Sequence, residues 1–208
     1  MPGACWLHKN RACLRLAGVS TTNRGLKKKA LFTVNVLETE RLNLRQLSTG
    51  DAAFMLELLN EPSFLRNIGD KGVRTIDDAV QFIVEGPLAS YNRLGFGMWL
   101  VELKDAKTPI GICGLVKRDA LPDVDIGYAF LPQFRLLGYA YESASAVMDY
   151  AKNVVGLKRL VAITNPDNAA SIKVLGRVGL KFERMIRLSE DAPEIMLFVS
   201  GLQERAGA

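Results

Sequence analysis

Polar and apolar positions fall into a regular pattern only from residue 37 onward. Residues 41–47 alternate strictly, which predicts a strand with one buried face. Ser48 or Thr49 can cap a helix running to Leu59, with Phe54, Met55 and Leu58 on one side. Residues 69–72 form a loop. Thr75 with Asp78 three residues on is an N-terminal capping pattern. It opens a second helix with Ala79, Phe82 and Ile83 as its apolar face, which Gly86-Pro87 bends or interrupts. Three strand-like runs follow, at 96–103, 110–116 and 124–131. Next, Ala144, Val147, Met148, Ala151 and Val155 recur at helical spacing until Gly156 ends the run. A short strand at 160–164, a helix at 168–178 and two strands near 182–188 and 194–199 complete the chain. This order predicts a mixed α/β domain, antiparallel in its front half, with parallel pairing behind.

Charge divides the chain. Its 208 residues hold 27 Lys and Arg against 22 Asp and Glu. Seven of the basic residues lie in residues 1–34, which hold no acid, so the remainder carries 20 basic and 22 acidic residues, a balance of −2. The basic excess thus belongs to the N-terminal segment, and a nucleic-acid function gains little support from it. We expect residues 1–34 to be a disordered upstream extension and residues 35–208 to form one domain. A secretory signal fits poorly, because Arg15 breaks its apolar centre; a transit peptide fits in part.

The one histidine, His8, lies in that segment, so a Ser-His-Asp triad, a Cys-His pair and a histidine-bearing zinc site are excluded for the domain. Cys5, Cys13 and Cys113 form neither a disulfide framework nor a metal site, and no metal is expected. Cys113, inside an apolar run, reads as a small core residue. No run approaches the roughly 18 apolar residues of a membrane span. We expect a cytoplasmic protein, monomer or homodimer, with no membrane or DNA partner.

The chemistry concentrates in residues 131–140, Leu-Pro-Gln-Phe-Arg-Leu-Leu-Gly-Tyr-Ala, between a strand and a helix. A loop entering a helix directs free N–H groups at one spot, and the helix dipole adds positive potential. Such a site suits a phosphate or pyrophosphate. No Gly-x-Gly-x-x-Gly follows an early strand, which disfavours a dinucleotide oxidoreductase.

Arg135, Gly138 and Ala140 match the Arg/Gln-x-x-Gly-x-Gly/Ala pattern of the GNAT N-acetyltransferase superfamily. Asn168 and Ser171 match the Asn-x-x-Ser of its ribosomal-protein-alanine acetyltransferase (RimJ/RimL-like) group. Residues 37–45, Leu-Glu-Thr-Glu-Arg-Leu-Asn-Leu-Arg, resemble that group's first strand. The resemblance spans roughly residues 36–202. It implies a central twisted sheet with a splayed parallel strand pair, flanked by helices, and acetyl-CoA as co-substrate. It places the pantetheine arm on the backbone of Phe130 and Leu131. The pyrophosphate falls on the N–H groups of Arg135, Leu136, Leu137, Gly138, Tyr139 and Ala140, and Asn168 also contacts the cofactor. The chain departs from the family at Leu136, where many members have Gly, and at Leu175, where many carry a tyrosine acid.

The implied reaction moves an acetyl group to an amine, on a protein N-terminus or a small molecule. A neutral amine attacks the thioester, a base takes its proton and a donor protonates the leaving thiolate. Asp125, before Ile126-Gly127-Tyr128, matches the family's acid at the base or water-positioning place; its other role is an edge or surface carboxylate. Ser171 is the proton donor or, alternatively, a first-turn hydroxyl bonded to the backbone. Asn168 caps its helix in either case. The competing functions are a non-catalytic acyl-CoA-binding module and a ribosome-associated regulator that uses the basic segment.

Overall fold

The computed structural model describes residues 34–201. The expectations for residues 1–33, and for the end of the domain from residue 202, lie outside the described residues.

Among the described residues, eight strands form one sheet in the order β1-β2-β3-β4-β5-β6-β8-β7. They are β1 Asn35–Glu38, β2 Leu42–Gln46, β3 Met98–Leu103, β4 Pro109–Lys117, β5 Val124–Phe130, β6 Arg159–Thr164, β7 Lys181–Ile186 and β8 Ile195–Gly201. Pairing is antiparallel throughout except between β5 and β6. That parallel pair is held at one register position, Asp125 opposite Val161, and opens beyond it. The predicted antiparallel front and splayed parallel pair are both present.

Among the described residues, six α-helices cover the sheet: α1 Ala52–Leu59, α2 Pro62–Asn67, α3 Ile76–Ile83, α4 Ala89–Leu94, α5 Tyr139–Asn153 and α6 Ala169–Arg177. One face packs Ala144, Val147 and Ala151 of α5 and Leu175 of α6 against Trp99, Val101, Leu115, Ile126 and Phe130. The other packs Met55, Leu58, Ala79 and Ile83 of α1 and α3 against Leu100 and Ile112.

Several local expectations change. The stretch that resembles a first strand is two strands, joined at residues 39–41. Thr39 N–H closes that turn on the Leu42 carbonyl at 2.9 Å, while Arg41 N–H reaches Glu142 Oε1 at 2.9 Å. β2 is not half wet: Asn43 and Arg45 are buried as well as Leu42 and Leu44. Arg45 donates to Asp51 at 2.8 and 3.0 Å and to Glu102 at 2.9 Å, so its polar face meets protein rather than water. Burial alone would push the Asp51 carboxyl up, but Arg45 and Ser48 outweigh it and hold it below its ordinary value. Helix α2 escapes the apolar pattern because it is short. It is set by Pro62 at its first position and by Glu61, which accepts from the Ser63 and Phe64 N–H groups at 2.9 and 3.1 Å. At Gly86-Pro87 the helix widens into a π turn, Val84–Leu88, and continues as α4, since the wider turn accommodates the proline ring.

Candidate active site

The geometry of β5 follows from its ladder. Leu131 N–H donates to the Ile110 carbonyl at 3.0 Å, so every second residue back from it turns its main chain toward β4. The N–H and C=O of Tyr128 and the N–H of Phe130 therefore face the open side, where β6 has diverged. The N–H of Leu131, named above for the cofactor arm, is committed to β4. The Phe130 carbonyl is committed too, since it accepts from Arg135 Nε at 2.8 Å.

Downstream, the chain turns sharply into α5. Leu136 has φ +61° and Gly138 φ +87°, both left-handed. A side chain at Gly138 would be strained by that φ and would meet the Arg41 guanidinium at 3.2 Å. The first bond into the helix is Glu142 N–H to the Gly138 carbonyl at 3.0 Å. Among the described residues, the N–H groups of residues 136–141 find no hydrogen-bond acceptor. Six clustered donors at the start of a 15-residue helix are an arrangement that suits an anion.

The cation at this turn is Arg41. It donates to the Leu137 carbonyl at 3.1 Å, lies over the Tyr139 ring at 4.5 Å and pairs with Glu142 at 2.6 Å. Glu142 also accepts from Thr39 Oγ1 at 2.6 Å, so it ties the β1–β2 turn to α5. Arg135, expected to charge the loop, turns away and pairs with Glu61 Oε2 at 2.7 Å. The Arg-x-x-Gly spacing falls at the turn between β5 and α5. It did not indicate that a carboxylate 74 residues upstream holds the arginine.

Helix α6 begins as expected. Asn168 Oδ1 accepts the Ser171 N–H at 3.1 Å and caps the first turn. Ser171 Oγ lies 3.0 Å from the Tyr128 hydroxyl, which sets it beside β5 on the α5–α6 face of the sheet. Leu175, where the family often has tyrosine, is 1% exposed and belongs to the core. Tyr128 is the site residue that sequence reasoning missed. It was visible in Ile126-Gly127-Tyr128, but its partner lies 43 residues away and only the fold joins them.

Asp125 is not a surface carboxylate: it is 1% exposed. Its Oδ2 accepts from Arg118 Nε at 2.6 Å, while Oδ1 is buried without a hydrogen-bond partner. Burial pushes its carboxyl up to about 6, against the opposing pull of Arg118. Alternation along β5 places Asp125 with Ala129, on the α1–α3 face, whereas Tyr128 and Ser171 lie on the α5–α6 face. The two predicted catalytic residues thus flank the sheet from opposite faces. Cys113 is fully buried, and burial pushes its thiol up to about 12, as befits an inert core residue.

Comparison with known proteins identifies the family and the fold. A model described as an acetyltransferase (GNAT) domain matches residues 41–181. The chain is similar to YoaA, an uncharacterised N-acetyltransferase of Bacillus subtilis (strain 168), with 30% identity over 156 residues, 73% of this chain and 86% of the relative. Among solved structures it resembles an acetyltransferase from Agrobacterium tumefaciens str. C58, with TM-score 0.69, 24% identity, and 84% of this chain and 98% of that one covered. It also resembles RimL, a ribosomal alpha-N-protein acetyltransferase, with TM-score 0.71, 15% identity, and 85% and 98% covered. A RimL structure in complex with coenzyme A shares the fold at TM-score 0.68 and 17% identity, over 78% of this chain and 95% of that one. The chain belongs to the GNAT acetyltransferase family, and its class of activity is N-acetyl transfer. Among the described residues, no helix is long and apolar enough to cross a membrane.

Proposed function

We propose that the protein transfers the acetyl group of acetyl-CoA directly to a primary amine. One observation carries this reading: the open edge of β5 runs from the N–H cradle at residues 136–141 to the paired hydroxyls of Tyr128 and Ser171. The cradle fits a pyrophosphate, with Arg41 and Glu142 fixing its shape. The free main chain of Tyr128 and Phe130 fits a pantetheine amide in the manner of an added strand. Asn168 orders the start of α6 beside it.

The chemistry follows from these positions. The amine attacks the thioester carbonyl, a C–N bond forms and the C–S bond breaks. Asp125, ionised above about pH 6, takes the proton that the nitrogen loses, directly or through water. A free N–H on the open edge of β5 stabilises the oxyanion. Ser171 gives a proton to the departing thiolate. A thiol has an ordinary pKa of about 8.5, so this donation assists the step without being obligatory near neutral pH.

The acceptor is a protein N-terminus or a small-molecule amine; the likeness to RimL favours including N-terminal peptides. The test is thiol release from acetyl-CoA over a panel of amines and peptides, with mass spectrometry of the products. Turnover that falls in Asp125→Asn and Ser171→Ala, with acetyl-CoA affinity retained, is the expected result. Acetyl-CoA binding with no thiol release across the panel would instead make this a non-catalytic binding module.

A further inference from the structure

Ser171 is held at two points. Its N–H is bonded to Asn168 Oδ1, which fixes the backbone of the α6 first turn. Its side chain meets the Tyr128 hydroxyl at 3.0 Å, and the Ser171 carbonyl accepts from that same hydroxyl at 3.2 Å, so the one Tyr128 proton faces two acceptors on Ser171, of which Oγ is the nearer. Among the described residues Ser171 Oγ has no other hydrogen-bond partner. Tyr128 is itself anchored, since its main chain belongs to β5 and sits opposite Cys113 of β4.

The direction of the bond matters. A hydroxyl between two acceptors can rotate, and a serine whose proton points at tyrosine cannot give it to sulfur. A phenol is the stronger acid of the pair and the better donor. Burial also pushes the Tyr128 hydroxyl up to about 12, so it keeps its proton near neutral pH. With tyrosine donating, the serine proton is left to point elsewhere. No hydroxyl arises at Leu175, one helical turn on, to do this work from α6 itself.

We propose that Tyr128 is a positioning residue: its O–H, donated to Ser171 Oγ, sets the serine rotor so that the Ser171 proton is presented to the leaving sulfur on the open side of β5. The inference rests on the acetyl-transfer reading above. The C–S electron pair stays on sulfur and takes the Ser171 proton, water reprotonates Ser171, the hydroxide this leaves is neutralised by the amine proton that Asp125 releases to solvent, and Tyr128 keeps its own proton throughout.

The experiment compares wild type, Tyr128→Phe, Ser171→Ala and the double variant. Phenylalanine keeps the ring and its packing. In Tyr128→Phe, the acetyl-CoA dissociation constant and thermal midpoint should hardly move, while kcat falls about 10-fold, below the 10²–10⁴-fold typical of a complete acid. In the Ser171→Ala background, Tyr128→Phe should cause no further loss, because the group it positions is gone. Without any acceptor, the ring-carbon NMR signal of Tyr128, assigned by its loss in Tyr128→Phe, should shift in Ser171→Ala. Unchanged kcat in Tyr128→Phe, an equal further loss in the Ser171→Ala background, or an unmoved NMR signal overturns the proposal. A wild type that acetylates nothing overturns the acetyl-transfer reading and this proposal with it. Wild-type turnover that Tyr128→Phe leaves intact overturns only the proposal.

Discussion

Leu136 is a leucine in a glycine's conformation. Its φ is +61° and its side chain is 98% exposed, so no packing offsets the strain. The left-handed region costs an L-residue about 1–2 kcal/mol. Glycine would remove that cost and add about 0.5–1 kcal/mol through the entropy of the unfolded chain. Leu136→Gly should therefore be neutral to stabilising by up to about 1 kcal/mol in urea melts, and Leu136→Val destabilising; a clear loss with glycine would contradict this account. The same position was conspicuous in the sequence as a departure from the family pattern, and the backbone angle supplies the reason glycine is common there. Arg45 was less legible. Its alternating neighbours put it on a wet face, and only the approach of Asp51 and Glu102 from other elements turns that face into a buried ion network. Such a network has no period along the chain.

At the scale of elements, the cradle proposed at the turn into α5 offers its main chain to a ligand, so side-chain substitutions should act according to what they do to the backbone. Gly138→Val forces a branched side chain into φ +87° and against Arg41, and acetyl-CoA affinity should fall at least tenfold in calorimetry. Arg41→Ala removes the contact to the Leu137 carbonyl and the partner of Glu142, and should weaken binding by less. Arg135→Ala should leave binding nearly unchanged and lower the thermal midpoint, because it removes the cation paired with Glu61. A larger affinity loss for Arg135→Ala than for Gly138→Val would restore Arg135 to the cradle. The position of this element was legible, because strand, loop and helix each carry a local signal. The partner of its arginine was not.

For the whole molecule, Asp125 couples the fold to pH. It sits where β5 and β6 still pair, and β5 then continues to the open edge. Its carboxyl is raised from 3.8 to about 6 in the folded chain. Between those values the native state holds a proton that the unfolded chain has released. The corresponding stability is complete below about pH 4 and lost as pH rises through 6. A shift of this size corresponds to about 3 kcal/mol. Asparagine does not titrate, so the stability of Asp125→Asn relative to wild type should rise by about 2–3 kcal/mol from about pH 4 to about pH 7.5. A flat difference between the two proteins across that range would show that Asp125 is not raised. If Asp125 is the base, turnover of wild type should rise over the same interval in which its stability falls.

The sequence by itself determined the order of elements from the third strand onward, the antiparallel front, the place of the loop that enters α5, the Asn168 cap and the family. Each of these rests on residues close together in the chain, where period, capping and turn chemistry act. The tertiary structure decided which groups meet. It split residues 37–45 into two strands through Glu142, buried Asp125 under Arg118 and turned Arg135 to Glu61. It also set Tyr128 of β5 against Ser171 of α6. These are pairings across 7 to 103 residues, made by strand alternation and helix packing, and no local pattern encodes a partner that the fold alone delivers.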